Sequence, residues 1–439
     1  MIARWSYAAG FLLVLLITGR PGFTQPGDAA PLHRAESAIT DIMVHDIFSP
    51  PVASRIYLYT NIAAYEALAK AHPGQYASLY GQIRSFPHIP APAKLTRPSL
   101  SAVYAFMLVS KRLLFSEQAV EDSTRAILKN FHVPSAHISP ALYSSSLAYG
   151  RQVADSVIRW AEMDQYRETR KLPRYRLVNR EGKWVPTPPA YMAAIEPYWN
   201  KIRLIALDTC SQFRPPPPPA FSKDSGSAFY ILAYDVYQTG NHLTADQKDL
   251  ANFWDCNPFA VSMEGHLHFA LKKISPGGHW ISIVGIVARQ QHMDMIESAA
   301  LYTLTSIALF DAFISCWDEK YRTNVIRPET YIDAYIDETW RPVLQTPPFP
   351  EYTSGHSVIS SAAAQVLTSW LGDHYAFDDS SEQEFGLPVR HFNSFTEASA
   401  EAAVSRLYGG IHYRPAIETG LLEGRQIGEW VVKKIRLKK

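Results

Sequence analysis

The sequence predicts an all-α protein, two packed helical bundles with a small β-hairpin and a polyproline linker. Three observations lead there. Apolar residues recur three and four apart through most of the chain from about Glu36 onward. Polar starts and proline stops bound these stretches. One segment, from about Met293 to Ile326, is apolar on most of its face, as a central helix surrounded by others would be. The 439 residues, 47% hydrophobic and 19% charged, suffice for two helical layers or two domains.

Taken in order, "MIARWSYAAGFLLVLLITGRPGFTQ" places one arginine before an apolar run from Ala8 to Thr18, then Gly, Pro and polar residues. The run is short for a bilayer span and fits the hydrophobic region of a secretory signal over residues 1–24. This predicts an exported protein, periplasmic or extracellular, with no stable membrane span. "SRIYLYTNIAAYEALAKAH", "LSAVYAFMLVSKRLLFSEQAVEDSTRAILKNF" and "ALYSSSLAYGRQVADSVIRWAEMD" carry helical stripes. "YRLVNREGKWVPTPP" changes character: two β-prone runs about Glu181-Gly182 predict the hairpin. "FRPPPPPAFS", residues 213–222, is extended polyproline and reads as a rigid connector. It closes a helical N-terminal region, residues 25–222, and precedes a helical catalytic domain, residues 223–439. In that domain "SGSAFYILAYDVYQTG" and "TADQKDLANFWDCN" start helices, and Pro328 stops the central one. "AIETGLLEGRQIGEWVVKKIRL" closes the chain, with Pro415 in its first turn and basic residues at its end.

Charge excludes one class of partner. With 42 Lys+Arg against 41 Asp+Glu, no net field favours nucleic acid. Cys210, Cys256 and Cys316 are too few for a disulfide scaffold. Cys210 and Cys256 could pair in an oxidising compartment; three buried thiols fit equally well.

Candidate chemistry lies in three clusters. Lys320 and Arg327, seven apart near the end of the central helix, would share one stripe and could grip a tetrahedral oxyanion. Alone, they also fit a solvated basic helix end. "TSGHS", from Thr353, heads a helix, where free N–H groups and the dipole favour an anion. Ser354 offers a hydroxyl, Gly355 a close backbone approach, and His356 a proton near neutral pH. Alone, this is also an ordinary cap. "SRLYGGIHYRPA" brings Arg406, a Gly409-Gly410 break and His412 ahead of another helix start. Alone, its histidine fits simple packing among tyrosines.

Together, Lys320-x6-Arg327-Pro328, Thr353-Ser354-Gly355-His356 and Ser405-Arg406-x5-His412 resemble the signature of the type 2 phosphatidic acid phosphatase and vanadium-dependent haloperoxidase superfamily. The long helical N-terminal half, the proline linker and "NFWDCNPF" resemble its bacterial haloperoxidase-like branch. The resemblance implies that Lys320, Arg327, Ser354, Gly355 and Arg406 hold the oxygens of vanadate or phosphate. His356 would be an acid or base. His412 would ligate vanadium, or act as nucleophile in a phosphatase. Two positions depart from the pattern. Thr353 replaces a proline. Ala416 replaces the aspartate expected four residues after the active histidine, and Glu418 would point away.

The implied function is a haloperoxidase oxidising halide with hydrogen peroxide at vanadate. The alternatives are an exported acid phosphatase working through a phosphohistidine, with no metal cofactor, and a catalytically weak oxyanion binder. Either enzyme acts on small molecules, halide and peroxide or a phosphomonoester. Outside the signature, His266 and His268, with His279 or His292 as a third, could bind zinc, although no Cys or carboxylate completes a recognised spacing; the other reading is that they line the substrate entrance. Asp311 and Asp318 could pair with the site arginines or simply face solvent. Tyr408 and Tyr413 read as packing residues.

Overall fold

Proline sits in the first turn of most long helices, where its missing N–H has no partner to lose and its fixed φ suits helix entry. The computed structural model describes residues 29–131, 138–264, 267–270 and 272–439; the leader assigned to residues 1–24 lies outside them. The first group of helices is α1 (Ala30–His45), α2 (Pro50–Ala69), α3 (Pro98–Leu113), α4 (Glu117–Leu128), α5 (Pro140–Ala161) and the short α6 (Tyr166–Thr169). Helix α2 is buried along its whole length and packs on α3, α5 and the central helix. The second group is α7 (Ala228–Asn241), α8 (Ala245–Phe253), α9 (Pro276–Gln290), α10 (Met295–Thr323), α11 (Pro328–Tyr335), α12 (Gly355–Leu371), α13 (Phe395–Tyr408) and α14 (Arg414–Lys434).

Helix α10 is the predicted central helix. It is long and apolar enough to cross a membrane, yet its apolar window is wholly buried inside the protein between α2 and α12. It ends before Pro328: Asn324 turns left-handed at φ 53° and its N–H returns to the Lys320 carbonyl. Asp311 and Asp318, which could have paired with the site arginines or faced solvent, do other work. Asp311 accepts the backbone N–H groups of Ile205, Ala206 and Leu207 and so holds the segment that precedes the proline run. Asp318 accepts from Asn200 and lies beside Arg322.

The hairpin expected around Glu181-Gly182 does not form. Trp184 is buried, and the segment instead pairs with the chain leaving α10. Trp184 N–H donates to the Asn324 carbonyl and Ile326 N–H to that of Gly182, so the backbone groups are already satisfied. The hairpins that do form are β1 (Val261–Glu264) with β2 (Leu267–Ala270) and β3 (Phe377–Asp379) with β4 (Arg390–Phe392). Residues 214–224 belong to no helix or strand, and the Pro216 carbonyl accepts the Tyr352 hydroxyl.

Helices α12 and α14 run parallel in close contact. Gly420, Gly424 and Gly428 form a four-residue ladder along α14. A Cβ on Gly424 would meet the Val358 carbonyl oxygen at 2.1 Å, and one on Gly428 the Ala362 oxygen at 2.7 Å. Only glycine allows this approach. Because Gly420 faces Ser357 and Gly428 faces Gln365, the two N-termini lie at the same end. That alignment creates the site.

Candidate active site

Two helix N-termini with free N–H groups make a positive corner. Ser354 caps α12, its Oγ accepting from Ser357 N–H at 3.4 Å, and its own N–H reaches the Ala416 carbonyl of α14 at 3.0 Å. Gly410, left-handed at φ 77°, lets the chain leave α13 and present His412 just before α14. The cavity between them is lined by Gly355, His356, Arg406 and His412, with Cys256–Phe259, Phe313, Trp317 and Phe349 as walls. Its free volume of about 30 Å³ suits a small polyatomic ion rather than a bulky organic substrate.

Around this space lie three buried cations. Lys320 and Arg327 do not share a helical stripe, because α10 ends at Asn324 and Arg327 stands at the N-cap of α11. Loop residues bring them together instead. Lys320 Nζ donates to the carbonyls of Pro350, Glu351 and Thr353, which uses all three of its N–H groups. It therefore supplies charge and holds the loop, rather than a direct hydrogen bond. Arg327 donates to the Phe349 and Ile411 carbonyls, and through Nη1 to His412 Nε2 at 3.2 Å. Arg406 donates through Nη2 to the Trp254 carbonyl at 2.7 Å, and no described residue bonds its Nη1. Among the described residues none of the three forms an ion pair. Burial lowers Lys320 to about 8 and Arg327 to about 10, and also lowers Arg406. Three buried cations without salt bridges are costly until an anion arrives.

His412 is oriented from the side opposite the cavity. Its Nδ1–H donates to Glu351 Oε1 at 2.8 Å, and the same oxygen accepts Tyr413 N–H at 3.0 Å. Since Arg327 donates to Nε2, that nitrogen carries the lone pair. Burial, then Arg327, Lys320 and Arg406, push the ring's pKa well below its ordinary value, so Nε2 stays unprotonated. Glu351 thus supplies the carboxylate absent at position 416. Ala416 is buried, and its carbonyl holds Ser354 instead.

His356 is also held neutral, by burial and by Arg406. Its ring bonds the Trp254 backbone, while Nε2 is buried with no partner among the described residues. A buried acceptor of this kind, facing a cationic cavity, suits a protonated oxygen. Thr353 holds the floor of the site, where its hydroxyl donates to Glu423, which accepts from Ser315 as well. Sequence reasoning did not find Glu351 or Glu423. The only local hint was a glutamate shortly before the Ser-Gly-His run.

A profile of the VCPO second helical-bundle domain matches residues 300–438. The crystal structure of the first bacterial vanadium-dependent iodoperoxidase is 48% identical; the match covers 94% of this chain and 97% of that one, with a TM-score of 0.87. The chain belongs to the vanadium-dependent haloperoxidase family. The vanadium chloroperoxidase of Curvularia inaequalis is 24% identical over 359 residues, which cover 62% of this chain and 56% of that protein's length. A holo-type bacterial vanadium-dependent chloroperoxidase, 17% identical with a TM-score of 0.68 over 88% of this chain and 92% of that one, shares the fold.

Within this haloperoxidase fold, the remaining histidines and cysteines separate clearly. Cys210, Cys256 and Cys316 are free thiols, so the possible Cys210–Cys256 bridge is not made. His266 lies outside the described residues, His268 pairs with Met263 across the first hairpin, and His292 stands in a turn at φ 50°. His279 is buried rather than at an entrance. Tyr413 packs on Phe229, as a core residue would.

Proposed function

We propose that this chain is a vanadate-dependent haloperoxidase that oxidises halide with hydrogen peroxide, iodide being the first halide to test. One observation carries the reading. The lone pair on His412 Nε2, oriented by Glu351, lies at a cavity ringed by buried cations that form no ion pair among the described residues. Vanadate bound there would supply a Lewis-acidic centre that polarises hydrogen peroxide toward halide, without changing its own oxidation state. The residues fit such a group: a nitrogen ligand, three cations, and free N–H groups at the α12 terminus. His412 would ligate through Nε2. Arg406 Nη1, Arg327 Nη2, the Ser354 hydroxyl and the Gly355 N–H would hold oxygens, while Lys320 adds charge behind them. His356 Nε2 would take and return one proton at the oxygen facing it. Phe313, Trp317 and Phe349 would keep bulk water out, strengthening each of these contacts.

Iodide comes first because the relative sharing 48% identity is an iodoperoxidase. Export to the periplasm or beyond is part of the proposal and rests on the Ala8–Thr18 apolar run.

The test uses one preparation of the protein. It is loaded with orthovanadate in phosphate-free buffer and assayed for peroxide-dependent iodide and bromide oxidation. The vanadate-free form is assayed for phosphomonoester hydrolysis. Halide oxidation that requires vanadate and is lost in His412→Ala supports the proposal. Phosphate release without halide oxidation would instead make His412 a nucleophile. His356→Ala should keep vanadate binding and lower turnover by about 10²–10⁴-fold, the usual range for a general acid–base group.

A further inference from the structure

Beside the oxyanion cavity, with Cys256 at its wall, lies a second buried cluster. Cys256 Sγ is 3.4 Å from His279 Nδ1. Glu382 Oε1 is 3.0 Å from the same nitrogen and 3.9 Å from the sulfur. All three residues are buried. The far side of the imidazole is also engaged: Nε2 meets Asp379 Oδ2 at 2.7 Å, and Asp379 Oδ1 accepts both the N–H and the hydroxyl of Ser381.

These distances have a simple reading. Zinc bonds of about 2.3 Å to sulfur and about 2.0–2.2 Å to nitrogen or oxygen, at tetrahedral angles, put ligand atoms about 3.3–3.6 Å apart. The observed edges of 3.4, 3.0 and 3.9 Å bracket that range. Three ligand atoms of thiolate, imidazole and carboxylate type therefore outline one face of a tetrahedron. A carboxylate on the far ring nitrogen is the usual support for a ligating histidine.

We propose that Cys256, His279 and Glu382 form a structural site for a zinc-type divalent cation, separate from the oxyanion site. Binding would release the thiol proton and the Nδ1 proton; His279 would keep its Nε2–H bond to Asp379. No electrons move. The bound ion would fasten the Trp254–Phe259 segment. That segment carries the carbonyl that accepts from Arg406, the indole stacked on His279 at 4.5 Å, and part of the cavity wall. The site would thus set how firmly that wall is held, whatever ion the neighbouring cavity takes.

The test uses full-length, untagged protein, freed of metal by a chelator and without vanadate. Titration with Co(II) should give a near-ultraviolet thiolate-to-cobalt band that saturates at one ion per chain. Zn(II) should displace it and raise the melting temperature of the wild type. Cys256→Ser should lose the band, and Zn(II) should no longer shift its melting temperature. Glu382→Gln, which keeps the shape, should weaken Co(II) binding at least tenfold. A folded wild type with no thiolate band and no response to Zn(II) would overturn the proposal. So would a band that survives in Cys256→Ser.

Discussion

Replacing Glu351 with Gln sets two physical effects against each other. Glu351 Oε1 accepts from His412 Nδ1 and Tyr413 N–H, and its charge faces Arg327 and Lys320. Were it only a negative charge near an anion site, Glu351→Gln would remove repulsion and tighten vanadate binding. If it orients His412, the substitution does the reverse. A charge-assisted bond worth about 1.5–3 kcal/mol becomes a neutral one worth about 0.5–1.5 kcal/mol. The amide can also present its NH₂ group and favour the Nε2–H tautomer, which has no lone pair for a metal. Loss of such an outer partner typically costs 10–100-fold, or about 1.4–2.7 kcal/mol. We expect orientation to dominate, because the ligating lone pair exists in only one tautomer. Equilibrium dialysis with orthovanadate, beside a melting curve to confirm folding, measures it directly. Equal or tighter binding in Glu351→Gln would refute the orienting role.

Further predictions follow from the same geometry. Burial raises Glu351 to about 7, so below that pH it becomes a proton donor to His412 Nδ1 and forces the wrong tautomer; vanadate affinity should fall as pH drops through about 7. Lys320, lowered to about 8, loses its charge above that pH, so affinity should fall there too. Measured as the ratio of wild type to Glu351→Gln, the acid limb should vanish in the variant, while vanadate's own titration cancels. In the metal-free fold the raised Glu351 binds a proton more tightly than in the unfolded chain. Its contribution to stability is therefore greatest at acid pH and declines as pH rises toward 7, which denaturant melts at several pH values would show. Gly355→Ala should fold normally, since the added Cβ would meet only Trp317 at 3.8 Å, yet lose vanadate affinity because the methyl enters the cavity. Gly424→Ala should destabilise by about 1–3 kcal/mol in denaturant unfolding. A clash with the Val358 carbonyl at 2.1 Å cannot be relieved by a rotamer, and it outweighs the helix-propensity gain of about 1 kcal/mol.

Local sequence determined the helices and the three residue clusters of the site. A 3.6-residue stripe, a capping serine and a proline in a first turn act through neighbours within one helical turn, so they can be read without the fold. The same locality misplaced the hairpin: β-prone residues about Gly182 could not show that the partner for Trp184 would be Asn324, 140 positions away in the chain. It also misread the Lys320–Arg327 spacing, because Asn324 turns left-handed and ends the helix between them. Tertiary structure alone decided the rest. It brought the α12 and α14 N-termini together across a glycine seam, and gave His412 its carboxylate from Glu351 on another loop. It also gathered Cys256, His279, Asp379 and Glu382 into one buried cluster. These contacts join residues tens to more than a hundred positions apart, and the free energy that brings them together is burial of the whole core, which no short stretch of chain contains.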